Sequence, residues 1–206
     1  MIIKKPVYYL IFLMVFLFSH PLNSYAQENG RDLLHSLQTK FNSLKNVSAD
    51  FVEYTNGKKN LTGKFYYQKE NRMRIELNNI VLVTDGISTW NYNKNQNKLI
   101  IDNYDPENNS ILSLKNFIDV IPSKCSVKEK TGNRNIIELI PDSTELSFSN
   151  AEIKINSQNL IEELSINNKN GQIIKIVISN YKLNPGLSGS LFHINPPKGS
   201  KVIDLR

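Results

Sequence analysis

The fold is decided by the stretch VLVTDGISTWNYN, Val81 to Asn93. Two runs of β-branched and aromatic residues flank Asp85-Gly86, a pair that favours a tight turn between antiparallel strands because glycine adopts positive φ and aspartate tolerates the turn. Trp90 and Tyr92 alternate with polar residues in the second run, as in a strand with one apolar face. The stretch therefore predicts a β-hairpin that buries aromatic side chains.

Further strands are predicted on both sides of this hairpin. Apolar and polar residues alternate in the runs 47–51 and 61–67, which is the period of a half-buried strand. The connections between neighbouring candidates are short, and this favours antiparallel pairing because a parallel crossover needs a dozen or more residues. The other predicted strands are 72–77, 80–84, 88–93, 98–101, 126–129, 135–140, 151–155, 160–167, 172–181 and 190–194.

Two segments have the apolar spacing of helices instead. Leu33, Leu34, Leu37, Phe41 and Leu44 recur at steps of one, three and four, which predicts an amphipathic helix that ends near residue 46. A second helix is predicted over 108–121, stopped by the proline at 122. About eleven strands with two helices predict a mainly β (α+β) fold, in which a curved antiparallel sheet is covered by the helices.

The N-terminal 26 residues have the pattern of a secretory signal peptide. Lys4-Lys5 precedes an apolar run from Val7 to Phe18, and Ser24-Tyr25-Ala26 has the small-x-small pattern of a cleavage site. The alternative is a retained membrane anchor, but a run of about a dozen apolar residues is shorter than the roughly 20 that span a bilayer. We expect cleavage after residue 26 and a single mature domain over 27–206.

Composition points away from several classes of partner. The formal net charge is +6, and removal of Lys4 and Lys5 leaves +4, with the remaining lysines scattered among asparagines. This distribution favours a solvated basic surface over a nucleic-acid or membrane patch, so no nucleic-acid partner is expected. The single cysteine, Cys125, excludes an intrachain disulfide.

No catalytic or metal-binding constellation emerges from the sequence. The mature chain has two histidines, His35 and His193, and neither has metal-ligand spacing with a second ligand. The segment 186–190 resembles a nucleophile elbow but lacks its final glycine. Carboxylate pairs such as Glu162-Glu163 are typical of solvated strand edges. We therefore expect a protein without catalytic activity and without a cofactor.

The bulky apolar residues of the strands have two interpretations. They either line an apolar pocket, or they pack directly against the two helices, and close packing is the usual state of a protein interior. The residues concerned are Phe51, Phe65, Tyr67, Leu82, Trp90 and Tyr92.

Four motifs together carry a resemblance to a known family. They are VSADFVEY at 47–54, LTGKFYYQKENRMRIE at 61–76, Asp85-Gly86 with Trp90-x-Tyr92, and Pro196-Pro197-x-Gly199. In their order and spacing, which extend over Arg31 to Arg206, they resemble the LolA family of periplasmic lipoprotein carriers.

The resemblance implies both a fold and a function. The fold is an incomplete antiparallel β-barrel closed by an N-terminal helix and a central helical lid, with an apolar cavity for acyl chains. The implied partners are acylated lipoproteins, an inner-membrane ABC transporter that releases them, and an outer-membrane acceptor. The expected protein is a monomeric periplasmic carrier that breaks no bond and needs no cofactor.

Site residues follow from the resemblance together with the apolar pattern. The six bulky residues named above are expected to line the cavity. The expected lid residues are Leu34, Leu37, Phe41, Leu112, Phe117, Ile118 and Ile121. The family often has an arginine that acts on the lid, and here Lys69 stands in its place as the expected latch, with Arg72 and Arg74 as alternatives.

Two other functions remain open within the same architecture. A carrier of free glycolipid or phospholipid would use the same apolar cavity, because the sequence does not show what recognises the headgroup. Related half-barrels also act as lipid-binding regulatory sensors, although these usually have a second domain.

Overall fold

The computed structural model describes residues 23–105, 116–133 and 135–206. One long helix, α1, extends over Asn23–Ser43, so it begins before the predicted cleavage point. The strands of the described residues are β1 Asn46–Thr55, β2 Lys58–Gln68, β3 Arg72–Leu77, β4 Ile80–Thr84, β5 Ser88–Asn93, β6 Lys98–Asn103, β7 Cys125–Glu129, β8 Ile136–Pro141, β9 Phe148–Ile155, β10 Ile161–Asn168, β11 Ile173–Leu183 and β12 Lys201–Asp204.

All of these strands belong to one sheet in the order β12-β6-β5-β4-β3-β2-β1-β11-β10-β9-β8-β7. The two halves of the chain meet where β1 pairs with β11, with Phe51 opposite Ile178. The two ends of this order, β12 and β7, are not paired with each other, so the sheet is open. The prediction of a mainly β, incomplete barrel is thereby confirmed.

The hairpin at 81–93 forms as its sequence predicts. β4 and β5 pair antiparallel, with Val83 opposite Trp90. The Asp85 carboxylate caps the turn by accepting hydrogen bonds from the backbone N–H groups of Ile87 and Ser88 at 2.9 Å and 2.8 Å. Gly86 has φ +92°, and a Cβ there would collide with the Glu70 carbonyl oxygen of the neighbouring turn. Glycine is therefore required at this point of the sheet.

Alternation along the strands gives the sheet two different apolar faces. One face carries Phe65, Ile75 and Ile153 and belongs to the larger core together with α1. We call it the helix-covered face. The opposite face carries Val83 and Trp90, which form a second core with Phe192 from the C-terminal part of the chain. We call it the C-terminal face.

Two helical elements cover the first face. Leu34, Leu37 and Phe41 of α1 are buried in the larger core. The helix lies so close to β7 that a Cβ at Gly30 would collide with the Lys128 backbone. A short helical segment, 116–124, consists of a π-helical turn Asn116–Val120 and a 3-10 turn Ile121–Lys124. Among the described residues, no helix is long and apolar enough to cross a membrane.

The structure corrects one predicted element and adds detail at two other places. Residues 190–194 do not form a strand, because Gly189–Phe192 is a 3-10 turn that places Phe192 in the second core. β12, which the sequence pattern did not predict as a strand, pairs parallel with β6. The π-helical turn ends at Val120, before Pro122, and Pro122 lies buried at the start of the separate 3-10 turn that follows, where its fixed φ is tolerated. Residues 108–115 of that predicted helix lie outside the described residues.

Candidate functional site

Four of the six predicted cavity residues lie on the helix-covered face. Phe51, Phe65 and Tyr67 are buried in the larger core, and Leu82 is half-buried against it. Pairing of β2 with β3 and of β3 with β4 places Phe65, Ile75 and Leu82 side by side across three strands. Period-two alternation is therefore enough to bring these side chains to one apolar surface.

An enclosed cavity of about 20 Å³ remains between this surface and the helices. Leu37 and Phe41 line it from α1, Ile118 lines it from the segment 116–124, and Phe65 and Tyr181 line it from the sheet. A space of this size holds about one water-sized group. The helices therefore leave little free space over the part of the apolar face that they cover.

A second apolar space of about 90 Å³ opens beside the enclosed cavity. We call it the side groove. Its lining residues are all apolar and all lie on strands: Phe51, Phe65, Met73, Ile75, Ile161, Leu164, Ile176 and Ile178. Among the described residues, neither α1 nor the segment 116–124 contributes to its walls.

Two tyrosines introduce the polar groups of the buried face. The Tyr181 hydroxyl donates a 2.7 Å hydrogen bond to the Ile161 carbonyl oxygen, and burial raises the pKa of this phenol. The Tyr67 ring packs on Phe41 with ring centroids 4.8 Å apart. Burial raises the pKa of Tyr67, and the negative charge of Asp119 adds to the increase. Both phenols are therefore neutral at physiological pH.

The other two predicted cavity residues, Trp90 and Tyr92, lie on the C-terminal face. Trp90 belongs to the second core, and its ring meets His193 edge-on with centroids 4.7 Å apart. Tyr92 is half-buried against the same core. Because neighbouring residues of a strand point to opposite faces, both are separated by the sheet from Phe65. The prediction that all six residues line one cavity is corrected accordingly.

The predicted lid residues that the structure describes converge on the helix-covered face. We call this set the helical wall. Leu34, Leu37, Phe41 and Ile118 are buried in the larger core, while Phe117 and Ile121 are half-buried against it. Leu112, the remaining predicted lid residue, lies outside the described residues.

The structure places Lys69 away from this wall. Its side chain is exposed in the turn between β2 and β3, and its backbone N–H donates to the Lys45 carbonyl oxygen at 3.1 Å. Arg74, an alternative latch, lies on the C-terminal face, where it pairs with Glu76 at 2.7 Å and donates to the Leu191 carbonyl oxygen at 3.2 Å. The ion pair agrees with the sequence pattern, in which Arg74 and Glu76 share one face of a strand.

A contact that sequence reasoning missed joins the two helical elements. The Gln38 side-chain nitrogen donates a 3.1 Å hydrogen bond to the Ile118 carbonyl oxygen. In the sequence, Gln38 is one of several polar residues of an amphipathic helix, and nothing in the pattern distinguishes it from its neighbours. Its role depends on where the segment 116–124 packs, which only the tertiary structure shows.

Reactive side chains are sparse around this face. The described residues contain no group of three or more His, Cys, Asp or Glu side chains that would hold a metal ion. Cys125 is buried, and burial raises the pKa of its thiol to about 11, with a contribution from Asp142. A thiol in this state is a poor nucleophile.

An open, mostly antiparallel sheet with an apolar, helix-covered face defines a half-barrel protein. Comparison with known sequences identifies the family of half-barrel proteins to which the chain belongs. The sequence profile of the family described as "Outer membrane lipoprotein carrier protein LolA" matches residues 42–195. The chain belongs to the LolA family, and the resemblance found in its motifs is confirmed.

Individual relatives agree with this assignment. The chain is 24% identical over 204 residues to a protein of Legionella pneumophila (strain Lens) named "Outer-membrane lipoprotein carrier protein", and the match covers 94% of this chain and 98% of the relative. The protein of the same name from strain Paris matches to the same extent. Among solved structures, an uncharacterized conserved protein from Thermus thermophilus superposes with a TM-score of 0.57 at 13% identity, over 84% of this chain and 98% of that chain. This last likeness shows the fold alone.

Proposed function

We propose that this protein carries lipoproteins by binding their acyl chains against the helix-covered face. In this proposal it works in the periplasm after removal of residues 1–26, accepts lipoproteins from an inner-membrane ABC transporter and delivers them to an outer-membrane acceptor. Membership of the LolA family and the name of the Legionella relatives support this assignment. No covalent bond changes, and no cofactor takes part.

The observation that carries the proposal is the packing of the helical wall on the apolar face. The helical wall leaves a cavity of only about 20 Å³, although the surface beneath it is lined by large apolar side chains. A lipoprotein acyl chain needs far more space, so it must displace Leu37, Phe41 and Ile118 to reach that surface. The wall and the cargo therefore compete for the same apolar contacts.

Competition between the helical wall and the acyl chain makes release of the lipoprotein easier. Burial of an acyl chain contributes about 0.8 kcal/mol per CH₂, so one chain of roughly fifteen methylenes contributes on the order of 12 kcal/mol before costs. A carrier that kept all of this free energy would not deliver its cargo. Opening the helical wall exposes apolar side chains and offsets part of the gain.

Native mass spectrometry with lipid extraction tests the proposal on mature protein purified from its own host. Co-purified acylated polypeptides are the expected result. Free phospholipid or glycolipid at fixed stoichiometry would contradict lipoprotein carriage and favour the free-lipid carrier. An empty protein that also fails to take up an added lipoprotein would overturn the carrier proposal altogether.

A pair of variants tests the helical wall itself. Ile118 is 1% exposed in the larger core, whereas Val120, two residues further along, is 45% exposed. We expect Ile118→Asn to weaken lipoprotein retention and transfer, because it places an amide in an apolar contact surface. The matched variant Val120→Asn keeps its side chain in solvent and should transfer normally. Equal transfer by both variants would show that Ile118 is not part of a displaceable wall.

A further inference from the structure

A polar pocket of about 480 Å³ lies on the C-terminal face of the sheet. We call it the outer pocket. The residues of β1 and β2 that give it polar side chains alternate with residues of the larger core; Lys64 and Tyr66, for example, flank Phe65. Their side chains therefore point away from α1. The polar lining residues are Ser48, Asp50, Lys64, Tyr66, Asn180 and Lys182.

The described residues that border 106–115 lie near the other face of the sheet. Burial raises the pKa of Tyr67, and Asp119 and Tyr104 add to the increase through their charges. Both residues are therefore close to the Tyr67 phenol, which belongs to the larger core. The chain thus enters and leaves 106–115 on the side opposite to the outer pocket.

An irregularity in the pairing of β1 with β11 shapes the pocket. Ser48 of β1 pairs with Lys182 of β11. The next pair, Asp50 with Ser179, lies two residues along β1 but three residues along β11, so β11 contains a bulge. Asn180 has φ +54° within it. A bulge redirects a side chain locally, and here the Asn180 side-chain nitrogen donates a 2.8 Å hydrogen bond to Asp50 Oδ2.

The Asp50 carboxylate is the hydrogen-bonding centre of the pocket. Its Oδ1 lies 3.7 Å from Lys64 Nζ, which is longer than the about 2.7–2.9 Å of a charge-assisted hydrogen bond. This oxygen can therefore accept a hydrogen bond from a ligand. Asn180 adds a second amide hydrogen and a carbonyl oxygen beside it. Neighbouring hydroxyl groups of a sugar, each of which donates and accepts, match this carboxylate–amide pair.

The charge of the pocket favours a ligand with one negative charge. Two lysines, Lys64 and Lys182, face one carboxylate, Asp50. Among the described residues Lys182 makes no ion pair, and Glu76 on the neighbouring strand is already paired with Arg74. A phosphate ester carries a charge of about −1.5 to −2, so Asp50 repels it more strongly than a carboxylate.

Tyr66 gives the pocket a fixed aromatic wall. Its side chain is half-buried against the second core, and its hydroxyl group lies 3.5 Å from Glu76 Oε2. An aromatic ring held in this way offers apolar contact area to the C–H groups of a sugar ring. The pocket volume lies within the range of about 300–1,000 Å³ that is typical of small-molecule sites.

We propose that the outer pocket binds an acidic saccharide, that is, a sugar ring with one carboxylate. The ligand carboxylate pairs with Lys182, and the ring hydroxyl groups bond with Asp50 and Asn180. This inference goes beyond the proposed function, because the pocket lies on the opposite face from the apolar surface and takes a ligand without an acyl chain.

Four probes test the assignment by NMR titration of the isotope-labelled, lipid-free mature protein: glucuronate, glucose, glucose 6-phosphate and acetate. We expect glucuronate to bind roughly tenfold more tightly than each of the others and to shift the backbone amide signals of Ser48, Lys64 and Asn180. Acetate that binds as tightly as glucuronate would show a nonspecific anion site and overturn the inference. Glucuronate that leaves these three signals unshifted at millimolar concentrations would overturn it as well.

Two exposed lysines provide a matched pair of variants. Lys182 lines the pocket, whereas Lys59 on β2 does not. Lys182→Gln should lower the affinity for glucuronate roughly tenfold and leave the affinity for glucose unchanged, while Lys59→Gln should change neither. An equal loss in both variants would show that only the net charge of the protein matters.

Asp50→Asn tests the recognition of the ring. It should lower the affinity for glucose as well as for glucuronate, because the hydroxyl groups lose a charged acceptor. Circular dichroism and urea unfolding verify that the variant folds. Unchanged affinity in the folded variant would show that the sugar ring does not bind at Asp50.

Lipoprotein uptake by the same preparation separates the two proposals. Normal uptake of lipoprotein without binding of glucuronate would overturn the saccharide site alone. Glucuronate binding without any uptake of lipoprotein would overturn the proposed function and leave the saccharide site standing.

Discussion

The hydroxyl groups of Tyr92 and Ser200 donate hydrogen bonds to one shared acceptor, Oδ1 of Asn97, at 2.9 Å and 2.7 Å. Tyr92 belongs to the Trp-x-Tyr motif of the hairpin, and Ser200 directly follows the Pro-Pro-x-Gly motif near the C-terminus. Trp90 and His193 add an edge-on ring contact between the same two parts of the chain. Two motifs that are far apart in sequence therefore form one structural unit on the C-terminal face.

Removal of this shared acceptor should destabilise the fold. Asn97 has φ +44°, so Asn97→Gly keeps the backbone unstrained while it leaves two hydroxyl donors without their partner. We expect a loss of about 1–3 kcal/mol in the free energy of unfolding, measured by urea denaturation. Asn95→Gly, in the exposed part of the same turn, is the control. Equal midpoints for the two variants would contradict a structural role for the shared acceptor.

Trp90 should be insensitive to bound acyl chains. It is the only tryptophan of the chain, it is 3% exposed, and it lies on the opposite face of the sheet from the cavity. Brominated acyl chains quench indole fluorescence only at close range, so we expect no quenching of Trp90. A Phe51→Trp variant in a Trp90→Phe background places the fluorophore at the side groove and should be quenched. Strong quenching of Trp90 in the wild-type protein would show that Trp90 lies close to the bound acyl chain, on the same face as the cavity.

Gly86→Ala should be far more damaging than alanine at another glycine of positive φ. Both Gly86 and Gly132 have positive φ, +92° and +81°, but a Cβ at Gly132 has no atom within 4 Å. Backbone strain of about 1–3 kcal/mol is common to both substitutions, and Gly86→Ala adds a collision with the Glu70 carbonyl oxygen. Thermal unfolding measures the melting temperatures of the two variants. Similar melting temperatures would argue against close packing of the turn at Gly86 on the turn at Glu70.

Gln38→Ala should loosen the helical wall. The substitution removes the hydrogen bond to the Ile118 carbonyl oxygen, which is worth about 0.5–1.5 kcal/mol. We expect a small loss of stability together with faster uptake of lipoprotein, because the closed state loses one of its contacts. Thr39→Ala, at the next, exposed position of α1, is the control for helix propensity. Uptake by Gln38→Ala that is no faster than uptake by the control would contradict this role of the Gln38 hydrogen bond.

Cys125 should resist thiol reagents in the folded protein. It is 5% exposed, and burial raises the pKa of its thiol to about 11. At pH 8 a disulfide reagent should therefore label it only after unfolding in urea. A raised pKa means that the folded state retains the proton more tightly, so its contribution to stability is complete below about pH 9 and decreases as the pH rises towards 11. Rapid labelling of the native protein at pH 8 would show that β7 opens readily.

Local patterns predicted the strands well where turn chemistry and alternation agree. β3, β4 and β5 begin and end at the predicted residues, because each is bounded by polar or glycine-containing turns. The same patterns failed where the outcome depends on distant partners. The run 190–194 resembles a strand, yet Phe192 packs with Trp90 and its neighbours in the second core. β12 is parallel because its partner is β6, about a hundred residues earlier.

The sequence predicts which residues of a strand share a face of the sheet, but it does not predict which of the two faces the helices cover. Alternation shows that Trp90 and Tyr92 point the same way, but it does not show which side of the sheet the helices cover. That choice depends on the packing of α1, whose apolar residues Leu37 and Phe41 meet Phe65 and Tyr181 around the enclosed cavity. The role of Gln38 could not be predicted for the same reason, because its hydrogen-bond partner is a backbone carbonyl oxygen, which has no sequence signature.

The second core also sets an order of assembly. Val83 and Trp90 are in place once the central hairpin has been made, but Phe192 and Ile194, which bury them, are synthesised about a hundred residues later. Until then the C-terminal face of the growing chain presents its only tryptophan to water and to any other chain nearby. The C-terminal face therefore stays open to contact with other apolar surfaces until nearly the whole chain is available.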